Sequence, residues 1–224
     1  MLRFAQSLAA LLILSAGAAC ADETTSALPA PAVDNEPVQT SETAVLAGGC
    51  FWGMQGVFQH VKGVKQVLAG YAGGNASQAQ YETVSTGATG NAESVQITFD
   101  PKIVSYGEIL RIYFSVMDPT TLNYQAPDEG TQYRSEIFAA NSDQQRIAKA
   151  YIEQLDKAHA FSAPIVTQVG TSKGFVEAEG YHQDYLINHP TQPYIAIYDM
   201  PKIEKLKRLY PQFYMERPVK VARN

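Results

Sequence analysis

The chain is 224 residues long, 46% apolar and 17% charged, enough for one mid-sized domain with a substantial core and unlike disordered or coiled-coil compositions. Seventeen basic against twenty-two acidic residues give a net charge of −5, and loss of the first 21 residues, which hold Arg3 and no acid, makes it one unit more negative; this leaves no electrostatic footprint for nucleic acid or anionic lipid. Two cysteines, Cys20 and Cys50, are too few for a disulfide framework or a cysteine-based zinc site.

Residues 1–21 open with Met-Leu-Arg, run apolar from Phe4 through Leu14 and end in small residues up to Ala21. A positive start, a short apolar centre and a small-residue exit describe a secretory signal, too short for a stable membrane span. Export to the periplasm is expected, either by ordinary cleavage or with a lipid anchor on Cys20. From Asp22 to Thr43 the composition turns to Thr, Ser, Pro, Glu and Ala without periodicity, as expected of a disordered tether. A single domain over 44–215 and a short tail over 216–224 complete the chain.

Ala44-Val45-Leu46-Ala47 is an apolar run closed by Gly48-Gly49 and suits a buried strand. Met54, Val57, Phe58 and Val61 then follow at helical spacing, so a strand-to-helix turn falls on Cys50 to Gly53. Val64 to Tyr71 is strand-like, Gly73-Gly74-Asn75 a turn, and Glu93 to Phe99 alternates apolar and polar residues. Ser105 and Glu108 form a capping box for a helix through Met117, and Asp118 to Gln132 reads as a long loop. Tyr133 to Ala140 is a further strand, and Ser142 to Gln145 caps a helix with Ile147, Tyr151 and Leu155 on one face. Short strands at Ile165 to Gly170 and Phe175 to Glu177, a helical region at Gly180 to His189 and a helix over Pro201 to Leu209 follow. This order favours an α+β two-layer sandwich, a ferredoxin-like plait with a mixed β-sheet and flanking helices, over a doubly wound parallel fold.

Cys50 stands at the mouth of the first helix, where unpaired N–H groups and the helix dipole favour the thiolate, so its thiol is expected to be unusually acidic. A lone cysteine is also commonly an inert core residue; the adjacent Trp52, the only Trp, and the flanking glycines favour function. Glu93 shares strand parity with Val95, Ile97 and Phe99, which turns its carboxyl toward the apolar face, where burial keeps it protonated. Tyr133 shares parity with Ile137. Tyr81 is uninformative by position alone, and Phe51 and Trp52 could be plain core.

Gly49-Cys50-Phe51-Trp52-Gly53 resembles the signature of the A-type peptide methionine sulfoxide reductases. The likeness continues in Gly70-Tyr71-Ala72-Gly73-Gly74, Tyr81-Glu82-Thr83-Val84, Thr89-Gly90-Asn91-Ala92-Glu93, Asp128 to Ser135 and Tyr181 to Leu186, and covers about Val45 to Pro211. The resemblance implies reduction of the S epimer of methionine sulfoxide, free or in exported proteins, to methionine. Cys50 would attack the sulfur and become a sulfenic acid, Glu93 would supply the proton, and Tyr81 and Tyr133 would hydrogen-bond the oxygen. Phe51 and Trp52 would enclose the methyl group, and Asp128 would hold the substrate or a neighbouring tyrosine. That chemistry suits a sulfoxide, which is a poor electrophile until its oxygen is protonated or strongly hydrogen-bonded.

Many relatives carry further cysteines near the carboxyl terminus, whereas none follows Cys50 here. Regeneration then falls to an external thioredoxin-like or glutaredoxin-like thiol or a small thiol, with resolution by Cys20 a lesser alternative. Gln55 replaces a frequent glutamate and removes a charge near the thiol, and Asn91 stands where His is frequent and removes a proton partner. Neither a metal site among His60, His159, His182 and His189 nor a cofactor is expected; the chain is read as a monomer. Two competing readings are a thiol acyl hydrolase using Cys50 with His182 as base, and a non-catalytic module that binds oxidised methionine.

Overall fold

The structure is a computed structural model that describes residues 26–37 and 39–222. The expected signal over residues 1–21, and Cys20 within it, lie outside the described residues.

Apolar side chains alternate inward along the central strands because successive strand residues face opposite sides of a sheet. Strands β1 (Glu42–Gly48), β2 (Val64–Ala72), β3 (Ala92–Phe99) and β6 (Ser135–Ala139) form the centre of a six-stranded sheet. Strand β7 (Gln168–Thr171) extends it beyond β6 and β8 (Phe175–Glu177) beyond β2, giving the order β7-β6-β1-β3-β2-β8. Only β6 and β7 pair in parallel; the other neighbours are antiparallel, so the sheet is mixed as expected. Helix α1 (Phe51–Gln59) connects β1 to β2, and α3 (Tyr106–Val116) lies between β3 and β6.

One face of the sheet carries Ala44, Leu46, Val67, Ala69, Tyr71, Val95, Ile97, Phe99 and Ile137 into the main core with α1, α3, α4 (Ser142–Lys157), the single-turn α5 (Tyr185–Asn188) and α6 (Met200–Leu209). The opposite parity, Val45, Ala47, Ala72, Ala92 and Phe138, makes a much smaller cluster. Ser105 caps α3 as expected, its Oγ accepting from Glu108 N at 3.2 Å. At α4 the cap moves one residue upstream: Asn141 Oδ1 accepts from Gln144 N at 2.9 Å, and Gln144 Oε1 accepts from Ala140 N at 3.0 Å.

Two differences from the sequence reading matter for the site, and a third lies away from it. Helix α1 begins at Phe51 with Cys50 as its N-cap, so Phe51 to Gly53 are its first turn rather than a separate loop. Tyr133 lies in a single 3-10 turn (Thr131–Tyr133), one element before β6, because the chain must turn there to leave the short hairpin β4 (Tyr124–Gln125) and β5 (Asp128–Glu129). Helix α2 is a single turn, Tyr81–Val84.

The third difference lies upstream of β1, which starts at Glu42 rather than Ala44. Residues 26–34, expected to be disordered, form a strap across α3, α4 and α6. Leu28 is 3% exposed. Its N–H donates to Tyr210 Oη at 3.2 Å and its carbonyl accepts from Arg111 Nε at 2.7 Å. Tyr151 Oη donates to the Pro29 carbonyl at 2.9 Å, Gln154 brackets Ala30 and Ala32, and Asp34 accepts from Gly107 N. The strap has no periodicity because its anchorage is one buried leucine plus backbone groups matched to helix side chains; Pro29 and Pro31 have no N–H to satisfy. Leu28→Ala is expected to destabilise the domain by about 3 kcal/mol, read as a lower urea midpoint; an unchanged midpoint would mean that the strap is a passive leader.

Candidate active site

Cys50 is 8% exposed at the amino-terminal mouth of α1. Gly49, with φ +88°, makes the bend from β1 into the helix, and a Cβ there would lie 2.7 Å from Gln125 Cβ, so the turn accepts glycine alone. Glu93 sits 3% exposed near the start of β3, opposite Tyr71 of β2. The parity argument holds: its Oε2 accepts from Phe51 N, the first helical amide of α1, at 3.0 Å.

Burial is the dominant influence on Glu93 and raises it from 4.5 to about 8; Asp128 and Asp199 push the same way, and the Phe51 amide opposes them. Glu93 is therefore a neutral acid at neutral pH. The Cys50 thiol behaves contrary to the sequence expectation: it lies well above the ordinary thiol range, chiefly through burial and secondarily through Glu93 and Asp199. The Trp52 amide and the Lys202 ammonium oppose this rise but do not overcome it. A helix terminus acidifies a thiol that water can reach; here desolvation outweighs it.

Tyr81 and Tyr133, both half-buried, converge with Glu93 and Cys50: the ionisation of each phenol is raised first by burial, then by Glu93, and also by Cys50. Both remain neutral donors. Asp128 on β5 accepts from Tyr194 Oη, so the half-buried Tyr194 is the tyrosine that Asp128 holds. Phe51 is 1% exposed, between Tyr71 and His182 at 5.8 and 4.9 Å. Trp52 is half-buried, stacks on Tyr185 at 4.0 Å and meets Tyr194 edge-on at 6.1 Å. These rings make an apolar wall with phenol groups at its rim.

His182 is a wall residue. Its Nδ1 accepts from Trp52 Nε1 at 3.1 Å, which places the ring proton on Nε2, 3.9 Å from Glu179. Burial lowers its pKa, so it stays neutral. Its one lone pair is already occupied, and the hydrolase reading loses its base. Gln55 is 1% exposed, donates to the Val67 carbonyl and Gln183, and accepts from Asp184 N; it ties α1 to the carboxyl-terminal segment rather than altering charge at the thiol. Asn91 braces the 74–75 turn through Gly74 N and the Asn75 carbonyl, and so acts on the loop before β3, not as a proton partner.

Sequence reasoning did not select Tyr194, Glu179, Asp199 or Lys202. Glu179 accepts from Tyr71 Oη and Tyr81 N, fixing the start of α2. Tyr194 precedes and Asp199 closes a π-helical segment, Ile195–Asp199, that docks against α1. The only local cue was Asp199-Met200-Pro201, a helix-start pattern. A cavity of about 700 Å³ is lined in part by Gln125 and Lys202, but neither Cys50 nor the rings of this wall are in its lining.

A family model described as peptide methionine sulfoxide reductase matches residues 42–213. The chain belongs to that family. It is 58% identical over 190 residues to peptide methionine sulfoxide reductase MsrA 2 of Mesorhizobium japonicum, covering 84% of this chain and 97% of that one. To the MsrA 2 of Synechocystis it is 48% identical over 188 residues, covering 82% and 88%. Among solved structures, reduced Mxr1 from Saccharomyces cerevisiae aligns with a TM-score of 0.61 at 32% identity, covering 72% of this chain and 92% of that one. Methionine sulfoxide reductase A of Corynebacterium diphtheriae gives 0.61 at 30%, covering 70% and 79%. The reaction is reduction of methionine (S)-sulfoxide to methionine.

Because Glu93 ionises near pH 8 in the fold but near its ordinary 4.5 in the unfolded chain, the native state holds this proton more tightly. The associated stability is complete below the unfolded value and is lost as pH rises through about 8. Glu93→Gln is therefore expected to gain melting temperature relative to the parent between about pH 5 and pH 9; parallel melting curves across that range would place an ordinary carboxylate at this position.

Proposed function

We propose that Cys50 is the nucleophile, Glu93 the acid and Tyr81 and Tyr133 the oxygen-holding donors. The Phe51 N–H to Glu93 bond of 3.0 Å carries this reading, since it puts a buried neutral carboxyl one residue from the only thiol among the described residues. The Cys50 sulfur attacks the sulfoxide sulfur while Glu93 protonates the departing oxygen. Collapse of the adduct breaks both the transient bond between the Cys50 and methionine sulfurs and the methionine S–O bond, and forms the S–O bond of a sulfenic acid, so the methionine sulfur is reduced by two electrons and the Cys50 sulfur oxidised by two. The proton lost by the thiol replaces the one that Glu93 gave, so acid and thiol together end one proton poorer and the sulfenic oxygen one richer. The Phe51 and Trp52 wall takes the methyl group, and Asp128, through Tyr194, fixes the rim opposite.

With no cysteine after Cys50, a thioredoxin-like or glutaredoxin-like thiol attacks the sulfenic sulfur, water leaves, and a second thiol releases Cys50. Export to the periplasm is supported by the residue pattern over 1–21. The order β6-β1-β3-β2, with α1 and α3 in the two crossovers, supports reading the central domain as a ferredoxin-like plait.

Without reductant, mixing enzyme and methionine (S)-sulfoxide is expected to release about one methionine per thiol; Cys50→Ser should release none, and the R epimer should give none. If the chain were a non-catalytic binding module, the parent and the Ser variant would both bind sulfoxide without any release. Glu93→Gln should slow the single-turnover release by about a hundredfold or more; parent-like release would remove Glu93 from the acid's role.

A further inference from the structure

Asp199 is the N-cap of α6, a position where an Asp side chain ordinarily caps the helix, yet its side chain makes no capping bond. It is fully buried instead. Oδ1 accepts from Lys202 Nζ at 2.9 Å, and Oδ2 has no partner. The carboxylate lies against the first turn of α1: a Cβ on Gly53 would be 2.1 Å from Asp199 Oδ1 and 3.0 Å from Lys202 Nζ. Gly53 is three residues after Cys50, so glycine at this place lets an ion pair seat itself on the turn that the thiol caps. A buried carboxylate with one oxygen unpaired is a destabilising arrangement and calls for a functional account.

We propose that Asp199, anchored by Lys202, is a positioning residue that holds the proton on Cys50 until a sulfoxide occupies the site. The inference rests on the reductase reading above and adds to it a discrimination between oxidants. A free thiolate attacks hydrogen peroxide: an S–O bond forms, the O–O bond breaks, hydroxide leaves, and the resulting sulfenic acid consumes reductant with no methionine repaired. A protonated thiol reacts slowly with peroxide, whereas the sulfoxide arrives at a site where Glu93 activates its oxygen. The carboxylate of Asp199 lies on the first turn of α1, where its charge disfavours the thiolate of Cys50 and Lys202 partly offsets it. The other groups around the sulfur are Glu93 on β3, Asp128 on β5, Tyr81 on α2, Tyr133 and Tyr194. Three of those are phenols that stay neutral, and Glu93 is an acid that stays protonated at neutral pH. Asp128 is half-buried and bound by Tyr194. Burial raises the Asp199 carboxyl as well, but the Lys202 ammonium opposes that rise, so Asp199 is the fully buried carboxylate that acts on the resting thiol.

Alkylation of Cys50 by iodoacetamide, followed against pH in the full folded chain, tests this without sulfoxide. Asp199→Asn removes the charge at constant shape and is expected to speed alkylation near neutral pH about tenfold, with faster inactivation by hydrogen peroxide; a like charge near a titrating group shifts it by about one pH unit or more. Lys202→Gln is expected to slow alkylation. A loosened wall would instead expose the thiol in both variants and speed both, so same-direction changes, or profiles superimposable on the parent, overturn the proposal. Stoichiometric methionine release by the parent chain reports separately on the reductase reading, so the two can fail independently.

Discussion

The site depends on one hydrogen bond between elements far apart in sequence, from the first amide of α1 to the carboxyl of Glu93. It joins the start of the helix that Cys50 caps to the start of the central strand, and it selects which face of the sheet carries the chemistry. An unpaired first-turn amide needs an acceptor, and a buried carboxyl needs a donor; each meets the other's requirement. The bond is strong enough to fix geometry but too weak to ionise the carboxyl, because burial outweighs one amide donor. Glu93 therefore remains an acid able to give up a proton. A charge on Glu93 would also raise the cost of ionising Cys50, and burial keeps the Glu93 proton in place, so the pair begins with both protons.

The rest of the fold brings other elements to this contact. Gln55 and Gln183 tie α1 to β2 and to the carboxyl-terminal segment, Gln183 bonding both backbone groups of Ala69. Asp184, in left-handed backbone with φ 57°, accepts from Gln59 and from Val221 N. Glu179 holds Tyr71 and the start of α2. In this way α2, the 3-10 turn bearing Tyr133, the hairpin bearing Asp128 and the π-helical segment after Tyr194 surround α1. The strap from residue 26 to 34 covers the far side of the helical layer and touches none of these groups.

The central strands, α1, α3 and α4 were legible because their apolar residues repeat at strand or helix spacing over seven residues or more. The site was legible in part for the same reason: Glu93 inherits its inward direction from Val95, Ile97 and Phe99. Tyr81 and Tyr133 were found only through the motif likeness, since each sits in a single helical turn too short to carry a period. Tyr194, Glu179, Asp199 and Lys202 escaped notice because their roles arise from long-range contacts between the carboxyl-terminal segment and α1. The acidity of Cys50 was misjudged because local sequence displays the helix mouth but not the burial and carboxylates that oppose it, and the strap was missed because backbone groups and one leucine anchor it.

The central claim is that Glu93 carries a proton beside the thiol at neutral pH. Infrared difference spectra between the parent chain and Glu93→Gln, recorded across a pH series, observe that proton directly through the carbonyl stretch of an un-ionised carboxylic acid. The account predicts such a band at neutral pH, disappearing as pH passes about 8, with a carboxylate signal appearing in its place. A carboxylate signal already complete at pH 6 to 7, with no acid carbonyl band, would contradict it.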